Sequence, residues 1–193
     1  IQLGASQEAL NLIGSEISDH QALLHLLLEA VPDPVIAGCL LGKYNRAREM
    51  GLRLDIDPDS QMIDIPDALP RDQLVSVLGN LIDNALEATR EQTGAGGRVM
   101  LSMTDLGEEL IFEVEDQGPG VPEHARRAIF EKGVSTKGEA HGIGLHLVQQ
   151  FLNRWGGSVT VDNLPEGGSR FTLYLPKHPE GEPHHGTDST SDR

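Results

Sequence analysis

Val31-Pro32-Asp33-Pro34 constrains this chain more than any other feature, because no single helix can run through it. Proline locks φ, removes a backbone donor and pushes the residue before it out of the helical region. Upstream, Leu3, Leu10, Ile13, Ile17, Leu24, Leu27 and Val31 fall on a heptad seam, with Ser6 and His20 at the remaining seam positions. Residues 1–31 therefore read as one amphipathic helix, and its apolar stripe needs a partner surface. The pattern is already running at Ile1, so the expectation is a piece of a longer protein.

Beyond the break, residues 32–176 read as a folded unit. Val35 to Met50 is an expected helix ended by Gly51, and Leu52, Leu54 and Ile56 alternate as a strand. Arg71 to Thr89 is a long expected helix with apolar Leu74, Val77, Leu78, Leu81, Ile82 and Leu86. Val99-Leu101-Met103 and Leu110-Phe112-Val114 alternate as strands around a turn at Asp105 to Glu108. Gly142 to Trp155 reads as a third helix, followed by a hairpin around Pro165-Glu166-Gly167-Gly168. Hairpins outnumber βαβ units, so the fold class is α+β: a two-layer α/β sandwich, one sheet with helices on one face. Residues 177–193 carry no periodic apolar residue and read as a disordered acidic tail.

Composition narrows the partners. The net charge of −15 repels DNA, RNA and anionic membrane, so no nucleic acid is expected. An anionic ligand would need a local site of backbone amides, metal or placed cations. No apolar run approaches the ~20 residues that span a bilayer. The single cysteine, Cys39, reads as an inert, buried thiol.

Three clusters carry chemistry. In Asn80-Leu81-Ile82-Asp83-Asn84-Ala85, the two asparagines lie one helical turn apart on one face. They are either surface amides or oxygen donors turned toward a metal or phosphate; magnesium takes such oxygens and keeps several waters. The second cluster, Asp116-Gln117-Gly118-Pro119-Gly120, places a carboxylate at a strand end beside glycines that allow close approach. An ordinary tight turn would also produce that string. The third is a polar, Gly-rich run from Ile129 and Phe130 through Lys132, Ser135, Thr136 and Lys137 to His141-Gly142-Ile143-Gly144-Leu145 at a helix start. Free N–H groups and the positive dipole end suit phosphate there, although a solvated loop fits as well. The spacing matches neither the Walker nor the dinucleotide-binding pattern.

The order of the clusters, NLIDNA on a helix, DQGPG after a strand, FEKGVSTK, then GIGL, resembles the catalytic ATP-binding domain of sensor histidine kinases. That is a Bergerat fold, with a mixed, mostly antiparallel sheet, shared with gyrase-type, chaperone and mismatch-repair ATPases. DPVIAGCLLGKYNRAREMGLRL and GNLIDNALEA look more narrowly like kinases that sense citrate and C4-dicarboxylates. The resemblance implies ATP and magnesium as ligands, Asn84 as the metal ligand and Asn80 as its support. It makes Asp116 the adenine-amine acceptor, shaped by Gly118 and Gly120, with Phe130 anchoring a lid over residues 117–141. Lys132, Ser135, Thr136, Lys137, His141, Gly142, Ile143, Gly144 and Leu145 would face the nucleotide, Lys137 reaching the γ-phosphate as a catalytic cation. Hydrolysing relatives carry Glu where this chain has Asn80; an amide cannot accept water's proton, which favours phosphoryl transfer over hydrolysis.

Two departures from the kinase pattern stand out. Glu87 occupies a position where many histidine kinases carry Lys. No acceptor His followed by an acidic residue is present, since His20 precedes Gln21. Residues 1–31 then match the second helix of a dimerisation hairpin whose acceptor lies outside this sequence. His124 reads as an ordinary loop residue. The implied whole is a dimeric inner-membrane sensor with this portion in the cytoplasm, relaying phosphoryl groups to a response-regulator receiver domain. Two other classes fit the same clusters: a Bergerat-fold Ser/Thr-type protein kinase, and a degenerate, non-catalytic dimerisation or docking module.

Overall fold

A computed structural model describes residues 21–131 and 144–178. Residues 21–30 are helical (α1) and end at the proline pair. Leu3, Leu10, Ile13, Ile17, Ser6 and His20 of the seam lie outside the described residues, as do residues 179–193 of the expected tail. Of the described seam, Leu27 and Val31 are buried but Leu24 is only half-buried, and Leu23 takes the core-facing place. Lys177, expected in the disordered tail, is instead buried, paired with Asp64 and Asp105 and donating its backbone N–H to the Glu108 carbonyl at 2.8 Å. Leu23, Leu27, Ala30 and Val31 are buried in the same core as the globular unit. Met62 N–H donates to the Ala30 carbonyl at 2.7 Å, tying the end of α1 to the loop before the long helix.

Helix α2 spans Pro34–Glu49. Asp33 caps it: Oδ1 accepts from Val35 N at 3.0 Å and Ile36 N at 3.2 Å, and Pro34 fits the first turn. Its end follows from Gly51 at φ 71°. Strand β1 (Arg53–Ile56) leads through a loop to α3 (Arg71–Thr93). Apolar positions at three- and four-residue spacing bury Leu74, Val77, Leu78, Leu81, Ile82, Ala85 and Leu86. The helix runs four residues past the expected Thr89. Arg90, Glu91 and Gln92 extend it with high helix propensity and no apolar signal, until Gly94 at φ 71° stops it.

Strands β2 (Arg98–Leu106) and β3 (Glu109–Glu115) form a hairpin. Asp105 belongs to β2 instead of the expected turn, which shrinks to Gly107 and Glu108. The Asp105 carboxylate is held by Lys177 Nζ at 2.6 Å and Asp64 N at 2.8 Å, fixing that strand end. Helix α4 (Gly144–Trp155) and the hairpin β4 (Ser158–Asn163) and β5 (Ser169–Pro176) complete the described chain.

The sheet order is β1-β2-β3-β5-β4. β1 and β2 are parallel, and the other neighbours are antiparallel. Strands β2, β3 and β5 alternate. Val99, Leu101, Met103, Leu110, Phe112, Val114, Phe171, Leu173 and Leu175 face the core with α2, α3 and α4. The opposite face carries Met100, Glu113, Glu115, Arg170 and Tyr174. This is the expected sandwich, with helices on one side.

Candidate functional site

The site is laid out along one face of α3. Asn80, Asn84 and Ala88 recur every four residues, so they stack along the helix over about 12 Å at 1.5 Å per residue. Gly144, the first residue of α4, meets one end: a Cβ added there would sit 3.0 Å from Asn80 Oδ1. Asn80 Nδ2 donates to the Ser76 carbonyl at 2.9 Å. Gly118 meets the other end, where an added Cβ would sit 2.8 Å from the Ala88 Cβ. Asn84 is half-buried between the two. Glycine is required at 118 because any side chain there would collide with the helix.

The Asp116 turn is built by backbone clamps. Asp116 is 4% exposed. Its N–H donates to the Ser169 carbonyl at 2.9 Å, and its Oδ1 accepts from Gly118 N at 2.7 Å and Ser169 N at 3.1 Å. Gly168, at φ 94°, passes so close that an added Cβ would overlap the Asp116 carbonyl oxygen and sit 2.8 Å from its carbon. Gln117 N donates to Thr89 Oγ1 at 3.0 Å, while Gln117 Oε1 accepts from Arg98 N at 2.8 Å. Beyond Gly120 (φ 82°), Asn163 accepts from Val121 N at 2.8 Å and donates to its carbonyl at 3.1 Å. A carboxylate fixed in this way can accept a hydrogen bond from an amine but donate none. On the sheet side of the turn lies a cavity of about 380 Å³, bordered by Arg98, Met100, Glu115, Gln117 and Glu166 as well as Asp116.

Phe130 closes the short 3-10 turn Ala128–Phe130 and packs edge-on against Phe171, with centroids 6.4 Å apart at 77°. His146 Nδ1 lies 3.4 Å from the Phe130 carbonyl oxygen, and Leu145 packs against the core beside it. Of the residues expected at the site, Asn80, Asn84, Asp116, Gly118, Gly120, Phe130, Gly144 and Leu145 are described. Lys132, Ser135, Thr136, Lys137, His141, Gly142 and Ile143 lie outside the described residues, and α4 is described only from Gly144. His124 is exposed.

The acids beside the asparagines face α2. Asp83 pairs with Lys43 Nζ at 2.6 Å and Arg46 Nε at 3.3 Å, and Glu87 lies 3.7 Å from Arg46. Glu87 thus joins an ion network between α2 and α3. Cys39 is half-buried, its Sγ 3.6 Å from the Val75 carbonyl, and burial raises its pKa, consistent with an inert thiol. Among the described residues no group of His, Cys, Asp and Glu could hold a metal, and no helix is long and apolar enough to cross a membrane.

Sequence reasoning did not single out Thr89, Asn163, Gly168 or Ser169. The Gly167-Gly168 pair before a strand was the one local signal that backbone must pass close to something.

A five-stranded sheet with an asparagine-bearing helix and an Asp-Gly turn at its rim defines a nucleotide-binding class. The chain belongs to the histidine kinase-, DNA gyrase B- and HSP90-like ATPase family, whose pattern matches residues 70–179. Within that family it is similar to several sensor kinases. It is 39% identical to the sensor histidine kinase DpiB of Escherichia coli K12 over 92% of this chain and 33% of that protein. It is 33% identical to a probable C4-dicarboxylate sensor kinase of Halalkalibacterium halodurans over 92% of this chain and 34% of that protein. The catalytic domain of histidine kinase ThkA superposes with a TM-score of 0.64 at 26% identity, covering 76% of this chain and 92% of that domain. The chain spans about a third of the length of the curated relatives it matches.

Proposed function

We propose that this chain is the ATP-binding kinase core of a two-component sensor histidine kinase. In this reading it binds magnesium-ATP along the Asn80–Asn84–Ala88 face and donates the γ-phosphoryl group to a His on a dimerisation helix. The observation that carries the reading is the arrangement of two glycine contacts on that face. Gly144 meets Asn80 and Gly118 meets Ala88, leaving Asn84 between a helix start and a buried carboxylate.

The polarity of the ligand follows from that layout. The Asp116 end suits a base amine, because a fixed carboxylate accepts from it. The Gly144 end suits phosphates, because the first N–H groups and the positive dipole of α4 lie there. Asn84 and Asn80 are oxygen donors of the kind magnesium takes beside phosphate. The lack of an all-protein carboxylate cage among the described residues suits an ion held chiefly through its nucleotide. When bound, magnesium would neutralise phosphate charge. The chain's own work is to hold base and phosphates so that the terminal phosphorus lies open to in-line attack by an imidazole nitrogen. That nitrogen forms the N–P bond, the bond to the ADP oxygen breaks, and the imidazole loses its proton. Asn80 offers no base for water, which supports transfer over hydrolysis.

The same reading makes residues 1–31 part of a dimerisation element. It places Lys132, Ser135, Thr136, Lys137, His141, Gly142 and Ile143 over the phosphates. It assigns the whole protein to a cytoplasm-facing membrane sensor that passes the phosphoryl group to a response-regulator aspartate. Unfolding with and without magnesium-ATP tests it, beside Asp116→Asn. Nucleotide at ~100 times its Kd adds about 2.7 kcal/mol, a rise of roughly 5–11 °C for a chain of this size. A magnesium-dependent rise in the parent that disappears in the variant supports the reading. No rise in either protein refutes it and favours a docking module.

A further inference from the structure

The base-side turn is joined to the asparagine-bearing helix α3 by a buried hydroxyl. Thr89 is 0% exposed, and its Oγ1 accepts the Gln117 N–H at 3.0 Å. It sits one residue beyond Ala88, on the helix that carries Asn80 and Asn84. Gln117 is the residue between Asp116 and Gly118, and its side-chain oxygen is taken by Arg98 N at 2.8 Å. Ser169 clamps Asp116 from β5, and Asn163 clamps Val121 from β4. Thr89 is therefore a hydrogen-bond link from the turn to α3.

We infer that Thr89 is a positioning residue that sets the distance and angle between the Asp116 carboxylate and the asparagine face, so that one nucleotide can engage both ends. This rests on the nucleotide reading above. Without the hydroxyl, the Gln117 N–H loses its acceptor in a dry setting, at a cost the turn can relieve only by moving. A Cβ added at Gly118 would sit only 2.8 Å from the Ala88 Cβ, so there is little room for the turn to move toward the helix and the carboxylate shifts away from α3. A shift at the base end leaves the phosphate end in place.

The test measures magnesium-dependent binding of ATP, GTP and inorganic tripolyphosphate by calorimetry in the parent, Thr89→Val and Thr89→Ser. Valine keeps the shape and removes the acceptor, while serine restores it. The expected result is about a tenfold loss of ATP affinity in Thr89→Val, a reduced ATP-over-GTP preference, unchanged tripolyphosphate binding, and recovery in Thr89→Ser. If Thr89→Val does not fold, Thr89→Ala, which also removes the acceptor without a second methyl, takes its place. Parallel loss of ATP and tripolyphosphate binding, or parental ATP binding in the valine variant, overturns the assignment. A parent that binds no ATP overturns the nucleotide reading itself, a result distinct from either.

Discussion

Substituting two adjacent glycines separates backbone strain from steric closure of the Asp116 turn. Gly167 and Gly168 have nearly the same φ, 97° and 94°. An L-residue in that region costs roughly 1–2 kcal/mol, partly offset by about 0.4–1 kcal/mol from a stiffer unfolded chain. At Gly167 an added Cβ meets nothing within 4 Å, so Gly167→Ala carries strain alone, a net loss of about 1 kcal/mol. At Gly168 the same atom overlaps the Asp116 carbonyl oxygen and lies 2.8 Å from its carbon and 3.1 Å from Gln117 Cα. Non-bonded carbons prefer about 3.5–4.0 Å, so the two strands must part by nearly an ångström. Overpacking of that kind adds about 1–3 kcal/mol. Gly168→Ala is then expected to lose about 3 kcal/mol in total, a fall in Tm of roughly 6–12 °C against roughly 2–4 °C for Gly167→Ala. Thermal unfolding by circular dichroism reads both, and nucleotide titration should show weaker ATP binding for Gly168→Ala only. Equal Tm values for the two variants would refute the claim that close approach, and not conformation, demands glycine at 168.

Other consequences can be measured on the same protein. Asn84→Ala should remove the magnesium-dependent part of nucleotide stabilisation while leaving the ligand-free Tm within about 2 °C, since the side chain is half-buried and outside the apolar core. Phe130→Leu should cost about 1 kcal/mol through loss of the edge-on pair with Phe171, seen as a small fall in Tm. Asp33 is a pH-linked cap. Burial alone would raise its pKa, but hydrogen bonds from Arg71, Ile36 N and Val35 N outweigh burial and lower it. Its contribution is therefore present above the unfolded value near 3.9 and lost as pH falls through the lower folded value. Asp33→Asn keeps a good cap but loses the Arg71 pair at 2.6 Å, so it should be less stable by about 1–2 kcal/mol at pH 6. The gap to the parent should narrow toward pH 3 in thermal scans; a constant gap would contradict the assignment.

Much of this architecture is legible locally because each element has its own period and punctuation. The two-residue alternation of Leu110-Phe112-Val114 and the three-four spacing of Leu74 through Leu86 are fixed by which face must be buried. Asn80, Asn84, Asp116 and Gly118 could be singled out because unusual residue types sit at meaningful spacings. What holds them could not. Ser169 is 53 residues from Asp116, and Thr89 is 28 from Gln117. Nothing in either neighbourhood announces the other: the β3–β5 pairing decides the first meeting, and the packing of α3 on the sheet decides the second. The heptad spacing of Leu27 and Val31 marks a stripe that must be buried but not what buries it. They share one core with Met62, far along the chain, whose N–H donates to the Ala30 carbonyl.

The contact between Phe130 and His146 has a consequence for how this domain tolerates change. Phe130 and His146 lie sixteen residues apart in the chain, and their contact holds the two points together, His146 Nδ1 being 3.4 Å from the Phe130 carbonyl oxygen. The entropy lost in bringing two such points together rises only with the logarithm of the number of residues between them. Doubling that number costs about 0.6 kcal/mol. That is roughly 1–2 °C in Tm, less than the single glycine substitutions above. A change in the number of residues between these two points should therefore disturb the sheet less than those substitutions do.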